Sequence, residues 1–85
     1  MDEFDVVDQW LETLRGHLDL EGLETPDWPD LLDTVRATSR RVIHAAGPVT
    51  SFAVGYAAAK SDGSAKTIAA LFADVRAALP VKEAE

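Results

Sequence analysis

Cysteine is absent from the 85-residue chain, which excludes a disulfide framework, a thiolate metal site and a thiol nucleophile. Glycine and proline number only five and four, so the turns must be few and should coincide with those residues. No stretch shows the strict alternation of a half-buried strand. The longest stretch free of Asp, Glu, Lys and Arg, Val42 to Ala59, is interrupted by His44, Gly47, Pro48, Thr50, Ser51 and Gly55, and is too polar to span a bilayer. The opening MDEFDVVDQW is acidic, whereas an export signal begins basic and continues apolar. These absences predict a soluble, cytoplasmic protein without membrane contact.

Basic residues are scarce as well, eight against fifteen acids for a net charge of −7, and their placement is uneven. Residues 1–33 carry eleven acids and one arginine, while residues 34–60 carry Arg36, Arg40, Arg41 and Lys60 and no acid. An acidic total argues against nucleic acid, because binding a phosphate backbone requires a basic face. The basic middle is expected either to pair with the acidic first third or to hold an anion.

Against this background, helical periodicity is plain. Phe4, Val7, Leu11, Leu14 and Leu18 recur at steps of three and four, predicting a helix over 3–18 with Asp2, Glu3 and Asp5 at its positive end. Leu20 to Asp27 reads as a connection, with Leu20 and Leu23 dipping into the core. Asp27-Trp28-Pro29-Asp30 is a start signal for a second helix over 28–45, with Leu31, Leu32, Val35, Val42 and Ile43 as its apolar face. Gly47-Pro48 should end it, and a third helix should run over 50–61, capped by Thr50 or Ser51 and burying Phe52, Ala53, Tyr56 and Ala57. Ser64 should cap a fourth helix over 64–79 that buries Ile68, Leu71, Phe72, Val75 and Leu79, with Pro80 as its stop. The expected architecture is an all-α, compact four-helix bundle in one domain, residues 1–79, followed by a frayed tail, 80–85.

Small residues recur every four positions as Ser51, Gly55 and Ala59 and as Ala65, Ala69, Ala73 and Ala77. Such stripes let helix backbones approach closely, either between helices three and four or across a homodimer seam. Ser51, Gly55 and Ala59 are thus candidate interaction residues.

Candidate chemistry is thin. His17 and His44 lack a carboxylate or histidine at the spacing of a local metal site, and acids spaced by three along a helix spread their oxygens, so no metal is expected. Asp62 to Thr67, DGSAKT, resembles the end of a phosphate loop but has Ala65 where that motif has glycine, and no strand precedes it; it reads as a capping turn. No serine has a histidine and an orienting acid at readable spacing, so neither catalysis nor a cofactor is expected. Arg36, Arg40 and His44 step by four, with Arg41 adjacent, toward the start of helix three, where they are candidates for a small-anion or nucleotide site. A helix-turn-helix DNA reader would need bases read from AVGYAAA, which offers no Arg, Asn or Gln.

The segment GPVTSFAVGYAAA, with the opening D-x-W-L-x-x-L and LLDTVR, resembles a family of small uncharacterised actinobacterial helical domains over about Val7 to Leu79. In that family the domain stands alone or is fused to a MobA-type molybdopterin-guanine dinucleotide guanylyltransferase. Guanylyl transfer itself is not implied, since the chain has neither the L-x-G-G-x-S-x-R-M-G loop of such enzymes nor their length. The resemblance implies a non-enzymatic accessory or interaction module near molybdenum-cofactor assembly, binding a MobA-type enzyme or itself.

Overall fold

In a computed structural model that describes residues 2–81, the chain forms four helices: α1 (Glu3–Arg15), α2 (Trp28–Arg41), α3 (Ala46–Ala59) and α4 (Ala65–Ala78). No strand occurs among the described residues, and the fold is the expected all-α four-helix arrangement. Pro80 and Val81 lie beyond α4; the remainder of the expected tail, residues 82–85, lies outside the described residues.

Three of the helix starts follow local capping chemistry. Asp2, Asp27 and Ser64 adopt extended backbone at the N-caps of α1, α2 and α4, and their side chains accept hydrogen bonds from the amides of Asp5, Asp30 and Thr67 at 3.0, 3.2 and 3.0 Å. Pro29 occupies the first turn of α2, where its missing N–H costs nothing. α1 ends three residues before the expected limit, at Gly16, a poor helix former.

The break between α2 and α3 lies four residues earlier than the Gly47-Pro48 dipeptide suggests. α2 ends at Arg41, and Val42 to Ala45 form the connection. Pro48 sits in the first turn of α3, where no intrahelical donor is required of it. Thr50 is therefore not a cap; its hydroxyl donates back to the Ala46 carbonyl at 2.8 Å. Gly47 is buried against α2: a Cβ there would collide with the Ser39 hydroxyl and come within 3.0 Å of Val35 Cγ1. The glycine thus permits the close approach of α3 to α2, and Ser39 Oγ donates to the His44 carbonyl at 3.0 Å, pinning the connection.

Helices α2, α3 and α4 pack against one another around Val54, Ala58, Ile68 and Phe72, with Leu23, Leu31, Val35, Leu71 and Val75 completing the core. The expected apolar face of helix two is corrected. On α2 the most buried positions are Thr34 and Thr38, while Val42 and Ile43 are exposed. The threonines fit because Thr38 donates to the Thr34 carbonyl at 2.8 Å and the Thr34 hydroxyl accepts from Arg76 at 2.8 Å, so their polar atoms are satisfied. Arg76 also donates to the Asp30 carboxylate at 2.6 Å, tying α4 to the first turn of α2.

α1 sits apart from this core. Leu11 is its one buried residue, and no α1 side chain belongs to the core cluster. It is tethered by the Trp28 indole, which donates to Asp8 at 2.6 Å, and by the Arg15 guanidinium, which reaches the Leu20 carbonyl at 3.5 Å.

Candidate interaction surface

α3 reads AGPVTSFAVGYAAA, apolar on every side, so periodicity does not say which face turns inward. At 3.6 residues per turn, the buried residues Gly47, Val54 and Ala58 share one side. The opposite side carries Val49, Phe52 and Tyr56, and all three are solvated, Phe52 at 81% and Tyr56 at 65% exposure. This reverses the expectation that Phe52, Ala53 and Tyr56 are core residues. Ile43 and Val42, in the connection just before α3, are exposed as well.

The stripe of small residues lies between these two sides. Ser51 is half-buried, whereas Gly55 and Ala59 are exposed, and a Cβ on Gly55 would meet no atom within 4 Å. Ala69, Ala73 and Ala77 on α4 are exposed as well. The expected close contact between α3 and α4 along these stripes is therefore not made. Instead Gly55 and Ala59 form one wall of an open groove of about 370 Å³, whose other wall is the segment Leu20-Glu21-Gly22-Leu23.

That second wall is held in place by backbone geometry. Gly22 and Gly63 have positive φ values of 86° and 64°, which suit glycine. A Cβ on Gly63 would strike the Gly22 carbonyl, so the two turns touch, and the Glu24 amide donates to the Gly63 carbonyl at 2.8 Å. Glu24 also accepts from the Ala65 amide at 2.8 Å, adding a second cap to α4. The DGSAKT segment acts as the capping turn expected of it: Asp62 accepts from the Ser64 amide at 3.0 Å. This amide, then the Thr67 and Ser64 hydroxyls, hold the exposed Asp62 carboxyl at a pKa of about 2, below its ordinary 3.8.

Charge divides along α3. Arg40 and Arg41 close α2, and they and His44 are exposed near the N-terminal end of α3. Asp19, Glu21 and Asp62 line the groove toward its C-terminal end, where Lys60 stands 5.2 Å from the Tyr56 ring centre. Arg36 pairs with Asp33 at 3.8 Å, a local contact within α2, and among the described residues Arg40 and Arg41 form no ion pair. The broad pairing of basic middle with acidic first third is thus limited to Arg36.

The candidate anion residues are only partly brought together. Because α2 stops at Arg41, His44 leaves the four-residue line of Arg36 and Arg40. At the start of α3, the Ala46 and Gly47 amides already donate to the Ile43 and His44 carbonyls, Pro48 has no N–H, and Ala45 supplies no capping side chain. Few donors remain to face an anion. Among the described residues no three His, Asp or Glu side chains converge as metal ligands, and no helix is long and apolar enough to cross a membrane.

These features define a small all-α domain that leaves an apolar helix face open beside a groove. The chain belongs to the family described as a domain of unknown function, DUF6457, whose model matches residues 2–85. No curated protein and no solved structure matches it.

Proposed function

We propose that the chain is a non-enzymatic protein-interaction module, working in the cytoplasm, whose docking face is the solvated side of α3. The observation that carries this reading is Phe52, 81% exposed between Val49 and Tyr56 on one helix face. Fully burying a side chain of this kind is worth about 1.5–3 kcal/mol, which a partner would recover. Gly55 and Ala59 beside it leave room for a partner's backbone or side chains to approach closely. The sequence resemblance supplies a partner to try, a MobA-type guanylyltransferase, and with it a role near molybdenum-cofactor assembly.

Two measurements test this. In calorimetric titration with a purified MobA-type enzyme, wild type should bind and the Phe52→Ser/Tyr56→Ser variant should bind at least about tenfold more weakly, a loss of about 1.4 kcal/mol. Absence of heat with wild type removes the cofactor-assembly role. A photo-crosslinking residue placed at position 52 or at position 74 in cells examines the face itself. Protein adducts from 52 but not from 74, on exposed α4, support the reading; no protein adduct from 52 ends it. The anion-binding alternative has less behind it, since the α3 amides are already engaged, and pyrophosphate should leave the melting temperature unchanged.

A further inference from the structure

We infer that in the free protein the α3 face is occupied by a second copy of this chain, the two α3 helices crossing antiparallel about a two-fold axis near Phe52 and Gly55. The inference rests on the reading of α3 as a docking face and names what docks there.

The first support is charge. One end of α3 is bordered by Arg40, Arg41 and His44, with no acid between residues 34 and 60. The other is bordered by Asp19, Glu21 and Asp62 against Lys60. An antiparallel crossing sets the basic end of each copy over the acidic end of its mate, twice by symmetry. A parallel crossing would oppose like charges. The macrodipoles of two α3 helices also favour the antiparallel sense.

Shape gives the second. Phe52 and Gly55 lie on either side of the middle of a helix spanning Ala46–Ala59, so a two-fold axis there places the Phe52 ring of each copy over the Gly55 position of the other. A large side chain thus meets a glycine at which even a Cβ would have nothing within 4 Å, unlike Gly47 of the same helix, next to an open groove. The third support is area. Four aromatic side chains at roughly 150 Å² each supply on the order of 600 Å². Val49, exposed on the same side of α3 in each copy, adds to this, a total below the roughly 1,200 Å² of stable interfaces and in keeping with a weak, micromolar dimer.

Sedimentation equilibrium of the full chain, up to about 100 µM so that even a weak micromolar dimer is populated, tests this. Wild type should approach twice the chain mass of 9.2 kDa. Gly55→Arg and Phe52→Glu change positions open to solvent in the monomer, so both should keep wild-type helicity by circular dichroism and a cooperative melt, yet sediment as monomers. Arg40→Glu/Arg41→Glu should weaken the dimer at least tenfold. A monomeric wild type, or a dimer indifferent to Gly55→Arg and Phe52→Glu, overturns the second copy as occupant. A monomer that still crosslinks to another protein from position 52 overturns it while the docking face stands.

Discussion

Two glycines of α3 eight residues apart have opposite roles, and only their surroundings distinguish them. At Gly47 a Cβ would run into Ser39 and Val35, so Gly47→Ala should destabilise the fold by about 1–3 kcal/mol, the usual cost of overpacking. At Gly55 the space is empty, and Gly55→Ala should raise monomer stability by about 0.5–1 kcal/mol, because alanine loses less conformational entropy in a helix. Urea unfolding of the two variants beside wild type checks both signs. Composition shows neither role: Gly47 precedes a proline and so resembles a helix stop, and Gly55 falls in a regular four-step stripe and so resembles a packing contact. The threonines of α2 mislead in the same way. Thr34, 1% exposed, has no place in the expected apolar face of α2, and it is buried because Arg76 arrives from α4 to donate to its hydroxyl.

At the level of elements, what was legible is what depends on neighbours three or four residues away. The caps Asp27 and Ser64, the stop at Pro80 and the inward side of α4 all follow from local hydrogen bonding and apolar spacing. The α3–α4 turn adds a pH-dependent element. Asp62 has a carboxyl pKa of about 2 in the folded chain and near 3.8 without its Ser64 and Thr67 partners. Its contribution is therefore complete above the higher value and disappears as pH falls from 3.8 through about 2. The melting temperature of wild type should fall over that interval more steeply than that of Asp62→Asn, measured from pH 5 to pH 2. Equal slopes would show that the turn does not stabilise the carboxylate. The second cap from Glu24 had no local signal, since it comes from forty-one residues away along the chain.

The molecule as a whole is a three-helix core with α1 laid against it through Leu11 and a few polar tethers. Amide exchange should therefore protect α2, α3 and α4 together, with α1 opening at lower free energy and exchanging first. Uniform protection across all four helices would refute that division. Residue order alone settled the all-α class, the number of helices, the starts of α1 and α2 and both ends of α4, because helix formation answers to contacts within a turn. The inward side of α3, the site of the Gly47 crossing and the exposure of Phe52 and Tyr56 were decided by tertiary packing. A helix apolar all round carries no periodic signal, so only the partners available to it, α2 at Gly47 and α4 at Val54 and Ala58, select the face it buries.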